Sequence, residues 1–188
     1  SSEVLACNST TEQSLNLGRG SVRLFLALSH NFHNVTLTLD RALQFWREME
    51  WETIITVVDN ASSPPLTGQL ADTPTHQVLR LDTHHSFAAS CNAAAKARPS
   101  RFFLFLNNDV LLHPDALFHM YDAMACDFMA GIFGTRMVFP DDTIQHAGVV
   151  FGPGDRGPYH IHRREPSMLV PRTRAAFQAV TGACMLVE

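Results

Sequence analysis

No Cys-x-x-Cys pair occurs among the four cysteines, Cys7, Cys91, Cys126 and Cys184, which stand far apart along the 188 residues. That spacing argues against structural zinc. No apolar run reaches the length of a membrane span, and no signal peptide is visible at the first residues. Basic residues are in deficit: 14 Lys+Arg against 18 Asp+Glu give a formal net charge of -4. Without a positive field, nucleic acid is not expected as a main partner. Neither a Gly-x-x-x-x-Gly-Lys loop nor a glycine fingerprint after a strand is present, because Gly18-Arg19-Gly20 precedes the first predicted strand. The P-loop and dinucleotide folds are therefore unsupported. Internal repeats and low-complexity tracts are missing as well.

What is present reads as one globular domain, with 46% apolar and 17% charged residues. Residues 1–20 are polar and aperiodic, and read as a tail or linker ahead of a domain over 21–188. The start at Ser1 lacks a methionine, as expected of a piece of a longer chain. Cys91 and Cys184 have apolar or small neighbours and read as buried thiols, which points to a reducing, cytoplasmic compartment. The Asn-x-Ser/Thr triplets at Asn8, Asn34 and Asn60 arise easily by chance and argue only weakly for secretion.

Strands and helices alternate through the first two-thirds. Residues 22–29 (VRLFLALS) form a strand, and Val35, Leu39, Ala42, Leu43 and Trp46 recur at helical spacing over 35–49. Residues 52–58 (ETIITVV) form a second strand and 78–81 a third. Ser86 caps a helix that runs to Ala97. Residues 102–106 (FFLFL) have the composition of a strand buried on both faces. Pro114 takes a favoured first helical position, ahead of a stripe of Leu117, Met120, Tyr121 and Met124 that serves as core. Strands follow over 136–139 and 144–151, with a turn at Pro140-Asp141-Asp142. Residues 152–171 read as a long mobile loop, and 176–187 as a last strand broken at Gly182. The class is α/β: a Rossmann-like, mixed but mainly parallel sheet flanked by helices.

Three strand ends carry the chemistry. The first presents Ser29-His30-Asn31, the second Asp59-Asn60, and the central one Asn107-Asn108-Asp109. Open α/β sheets place ligands at the carboxyl ends of their strands. Oxygen donors there suit a hard divalent cation and a phosphate-bearing substrate, with Asp109 the better metal ligand. Asp59 can accept from a ribose hydroxyl or a base N–H, or simply cap a turn. His160-x-His162 could pair on one strand face, although in such a loop solvent exposure is the default. His84-His85 reads as surface. Arg163-Arg164 and Arg172 with Arg174 could reach phosphates or lipid headgroups, with a solvated loop as the simpler alternative.

Six ordered segments, VRLFLALSHN, TVVDNASS, SFAASCNAAAKA, FLFLNNDVLLHPDAL, GTRMVFPDDTIQHAGVVFG and AVTGACMLV, resemble family 2 inverting glycosyltransferases of GT-A fold. The resemblance is to rhamnosyltransferase-like members that build surface polysaccharides, and runs from about residue 22 to the end. It implies a nucleoside-diphosphate-sugar donor and a saccharide, lipid-linked or protein acceptor, with room for peripheral membrane contact. Ser29 and Asp59 match positions at the donor's base and ribose, His30 stands where a tyrosine is common, and Asn60 and Asn92 match positions near the donor. Asn107-Asn108-Asp109 matches the DxD-type motif, with Asp109 holding Mn²⁺ or Mg²⁺. An asparagine replaces its first aspartate, which weakens coordination. His146, Gly182 and Ala183 fall in matched segments and are candidates for the acceptor side, with a purely structural role as the alternative for His146.

The implied reaction inverts configuration: an acceptor hydroxyl attacks the anomeric carbon as the diphosphate leaves, and a carboxylate takes the proton. The family supplies that base beyond the segment matching Thr181-Gly182-Ala183-Cys184, so it is expected after Glu188. Asp141, Asp142 and Glu188 have no matching context, and Asp141-Asp142 reads as an exposed turn. Two other readings stand beside this one. A sugar nucleotidyltransferase would want a glycine-rich basic loop after the first strand, which residues 29–35 do not offer. A nucleotide-sugar-binding module without catalysis would need no base at all.

Overall fold

The structure, a computed structural model, describes residues 21–28, 44, 52–63, 65–66, 76–113, 115–127, 129–154 and 157–188. Of residues 21–28, 52, 53 and 76 it describes the backbone alone. The expected tail over 1–20, Ser29, His30, the expected helix over 35–49 apart from Gln44, which is helical, and the placement of Pro114 lie outside the described residues.

The main strands are β1 (Ser21–Leu28), β2 (Glu52–Asn60), β3 (His76–Leu81), β4 (Phe102–Asn107), β5 (Ile132–Gly134) and, last in the chain, β10 (Cys184–Val187). They form one sheet in the order β3-β2-β1-β4-β10-β5. The first four are mutually parallel, and β10 runs antiparallel to both β4 and β5. Between β1 and β4 the strand order reverses, the place where open sheets part to admit a ligand.

Two helices among the described residues cover the faces. Helix α1 (Phe87–Ala97) starts where the Ser86 hydroxyl accepts the Ala89 N–H, as its sequence predicts. Helix α2 (Ala116–Cys126) buries the stripe of Leu117, Met120 and Met124. On that side, Ile55, Val57, Phe102, Leu104, Leu106, Cys184 and Leu186 complete the core. Each such side chain contributes about 1.5–3 kcal/mol by leaving water. Strand β4 is not buried evenly. Phe102, Leu104 and Leu106 are fully covered, whereas Phe103 and Phe105 are half-buried on the face where Val58 and Ala94 pack. Both faces of the strand are thus covered, one fully and the other in part, and that two-sided cover explains its uninterrupted apolar run.

The second half departs further from expectation. The strand predicted over 144–151 is two strands, β7 (Ile144–His146) and β8 (Val149–Phe151), while β6 (Met137–Val138) pairs with β7. Gly148 breaks the run with φ of +135°, and the Phe177 ring lies 2.6 Å from where a Cβ would stand. Residues 152–171 are not the loose loop predicted. They contain β9 (Pro158–His160), antiparallel to β8, and a 3₁₀ turn over Ser167–Leu169. The Arg136 guanidinium holds that turn through the carbonyls of Ser167 and Val170. The expected strand over 176–187 reduces to β10, because Ala179 bridges Val149 and the chain turns at Thr181–Ala183.

Candidate active site

Register sets which residues meet at the carboxyl edge. Leu28 lies opposite Asp59 and Ala27 opposite Asn107, so the ends of β1, β2 and β4 are level. Strand β10 runs the other way and begins at that edge, with Cys184 opposite Leu106. The turn ahead of it therefore faces the same crevice.

At the end of β2, Asp59 is fully buried. Its Oδ1 accepts the Ser62 N–H at 2.8 Å, and its Oδ2 accepts the Leu66 N–H at 3.0 Å and Arg80 Nη1 at 2.5 Å. Burial pushes its pKa up, but these donors outweigh burial and hold it at about 2. Both oxygens thus act as a cap for the loop after β2, one of the two uses its position allows. Arg80 also donates to the Ser62 carbonyl at 3.0 Å, and sequence reasoning did not find it. A cation on β3, level with Asp59 in the parallel pairing, was the available signal.

Asn60 grips the backbone of His85 twice. Its Nδ2 donates to the His85 carbonyl and its Oδ1 accepts the His85 N–H, both at 2.8 Å. This clamp delivers the start of α1 to the crevice. There the Phe87 ring comes within 2.7 Å of a Cβ built on Gly182, so a side chain at this position would have to displace the exposed ring. Asn92 is exposed in the middle of α1. It is set back about 8 Å along the axis from the helix start.

Asn107-Asn108-Asp109-Val110 forms a turn closed by the Val110 N–H on the Asn107 carbonyl at 3.2 Å. Asn107 also donates its N–H to the Ala183 carbonyl at 2.8 Å. Asn107 and Asn108 are half-buried, and Asp109 is exposed. Among the described residues, no hydrogen bond or ion pair engages the Asp109 carboxylate.

His146 is buried behind this edge. Its Nδ1 lies 2.8 Å from His160 Nδ1, and its Nε2 accepts the Thr181 N–H at 3.4 Å. Burial first, then the charge of His160, pushes its pKa down to about 4. His160 was expected to face solvent. It is half-buried instead, because the β8–β9 pairing turns it inward onto His146. His162 is exposed beside Glu165, as expected, and His84 and His85 are exposed.

The acids weighed as bases sit elsewhere. Glu188 pairs with Arg101 at the opposite end of β4, and Asp141 binds Thr143 in an exposed turn. Arg174 is taken up by Asp122 and Arg164 by Asp141, while Arg163 and Arg172 are exposed. Burial pushes the thiols of Cys184 and Cys91 up to about 11, which keeps both protonated near neutrality. Cys184 is fully buried and Cys91 half-buried.

Residues 32–182 match the family described as Glycosyl transferase family 2. The chain belongs to that family. Among curated relatives, it is 32% identical over 143 residues to "Uncharacterized protein y4gI" of Sinorhizobium fredii (strain NBRC 101917 / NGR234), covering 70% of this chain and 16% of that protein. It is 31% identical over 101 residues to O-antigen biosynthesis protein RfbC of Myxococcus xanthus, covering 53% and 8%. The chain thus spans a small part of these relatives. Among solved structures, the mannosyltransferase PcManGT from Pyrobaculum calidifontis, in complex with GDP-Man and Mn²⁺, aligns with a TM-score of 0.53 at 19% identity, over 66% of this chain and 37% of that one. Mannosyl-3-phosphoglycerate synthase from Rubrobacter xylanophilus aligns with a TM-score of 0.56 at 14% identity, over 66% and 42%. These likenesses show the GT-A fold expected from the sequence.

In this glycosyltransferase-family domain the donors for a cation can be tested directly. Among the described residues, no three His, Cys, Asp or Glu groups come together as a protein-only metal site. One exposed carboxylate beside two carboxamides does fit a hard cation that takes its remaining ligands from substrate phosphates and water. No helix of the described residues is long and apolar enough to cross a membrane.

Proposed function

We propose that the domain binds a nucleoside-diphosphate sugar across the carboxyl edge of β1, β2 and β4, and transfers the sugar to an acceptor hydroxyl with inversion. The observation that carries this reading is the Asp109 carboxylate, exposed and unengaged among the described residues, on a turn at the point where strand order reverses. Asp109 would hold Mn²⁺ or Mg²⁺, with Asn107 and Asn108 offering carboxamides to the sugar or to metal-bound water. When bound, the cation supplies charge neutralisation at the leaving diphosphate.

Ser29, His30, Asp59 and Asn60 serve the base and ribose in this proposal. Asp59 contributes by fixing Arg80 and the loop after β2, and Asn60 by fixing the start of α1. Asn92 lies on the helix that follows. The acceptor hydroxyl adds to the anomeric carbon, the bond from that carbon to the diphosphate oxygen breaks, and a carboxylate takes the hydroxyl proton. We assign that base to an acidic residue following Glu188. Gly182 and Ala183 line the acceptor side. The acceptor class fits a saccharide of a surface polysaccharide, in line with the O-antigen biosynthesis relative. Lipid-linked and protein acceptors, and contact with a membrane surface, remain within the same chemistry.

The test is release of nucleoside diphosphate from a panel of nucleoside-diphosphate sugars by the full-length protein, with and without saccharide acceptors. Acceptor-stimulated release with an inverted product supports the proposal. Tight binding of donors without release or transfer would favour a binding module instead.

A further inference from the structure

His146 and His160 sit behind the transfer site and touch it through one backbone amide. Because Thr181 N–H donates to His146 Nε2, that nitrogen carries no proton, and the neutral ring holds its proton on Nδ1. His160 Nδ1, 2.8 Å away, must then accept it. The two rings meet edge to face, with centroids 4.9 Å apart. These tautomers follow from the contacts themselves. Protonating His160 would set one N–H against another, and protonating His146 would do the same at Thr181.

The contact with Thr181 continues to the site. Thr181 Oγ1 accepts the Ala183 N–H at 3.3 Å, and the Ala183 carbonyl accepts the Asn107 N–H at 2.8 Å. Among the described residues, His160 is the titratable group acting on His146 from β9. The stretch ahead of β10 presents only the Thr181 amide. Beside β6, the Arg136 guanidinium is turned away to the carbonyls of Ser167 and Val170. Glu165, after β9, faces outward to His162.

We propose that His146, oriented by His160, is a positioning residue: it fixes the Thr181-Gly182-Ala183 turn against the end of β4 and so sets the wall beside the Asn107-Asn108-Asp109 loop. Acidification detaches the turn, because a His146 imidazolium leaves the Thr181 N–H without its acceptor and a His160 imidazolium leaves the His146 Nδ1–H without one. The catalytic consequence rests on the glycosyltransferase reading, while the structural one does not.

Two measurements on the full-length protein decide it. The first follows the amides of Thr181 and Ala183 by nuclear magnetic resonance from pH 7 down to about pH 2.5, well past the His146 midpoint, alongside the ring nitrogens of selectively labelled histidines, with no substrate present. The turn amides should shift with the midpoint of His146, and amides that stay fixed while His146 titrates overturn the proposal. The second compares His146→Leu with His146→Gln, which retains an acceptor for Thr181. Misplacement of a wall by about 1 Å costs on the order of 100-fold in rate. Accordingly kcat should fall about 10- to 100-fold in the leucine variant, with donor KM within about twofold. The glutamine variant should recover most of the loss and show a flattened acid limb. Equal losses in both variants, or an unchanged acid limb, overturn the assignment. Should His146→Leu fail to fold, His160→Leu at a half-buried position serves in its place, with the same expectation. Absence of any transfer activity would count against the glycosyltransferase reading alone, and the amide titration would still decide the positioning role.

Discussion

Asn107 donates its backbone N–H to the carbonyl oxygen of Ala183 at 2.8 Å, which joins the end of β4 to the turn ahead of β10. The antiparallel pairing continues from there, with Cys184 opposite Leu106. Two walls of the crevice, the Asn-Asn-Asp turn and the Thr-Gly-Ala turn, are thereby held to one another. The variants below test the bonds that support this arrangement and the groups that would use it.

Asp59→Asn keeps the shape of the side chain and removes its charge. The folded pKa of about 2 lies below the ordinary 3.8, so the carboxylate's contribution is present above pH 4 and is lost as pH falls through 2. A shift of this size corresponds to about 2 kcal/mol. Urea unfolding should show the variant less stable by that amount at pH 7, with the gap closing toward pH 2. A gap that stays constant with pH would contradict the account.

Asn60→Ala removes both bonds to the His85 backbone. Each such bond contributes about 1 kcal/mol net. Hydrogen exchange at the His85 amide should quicken about tenfold or more, since 1.4 kcal/mol is a factor of ten. Unchanged protection there would mean that the start of α1 is held by other contacts.

Gly148→Ala combines a positive φ with a clash against the Phe177 ring. It should cost about 1–3 kcal/mol, read as a lowered Tm. Gly157→Ala is the control, because nothing lies within 4 Å of its Cβ position. Its effect should stay within about 0.5 kcal/mol. Equal effects at both positions would contradict the role given to Gly148.

The first half of the fold was legible because its signals are local. The apolar run of β4, the Ser86 cap and the stripe on α2 each follow from a few neighbouring residues. The placement of Asn107-Asn108-Asp109 at a strand end was equally legible, as an apolar run followed by a polar turn. What escaped depends on partners distant in sequence. His160 reads as a loop residue until β8 and β9 pair and turn it onto His146. The break at Gly148 is explained by Phe177, which is 29 positions later. Asp59 could be read as a ligand or a cap, and its use depends on Arg80, 21 residues on. No local pattern encodes those pairings.

The most direct test of the central claim is calorimetric titration of nucleoside diphosphates into the protein with Mn²⁺ and with chelator, repeated for Asp109→Ala. The account predicts metal-dependent binding in the natural protein. It also predicts a loss of about tenfold or more in affinity, at least 1.4 kcal/mol, both on chelation and in the variant. Equal affinity with and without metal, and in Asp109→Ala, would contradict it.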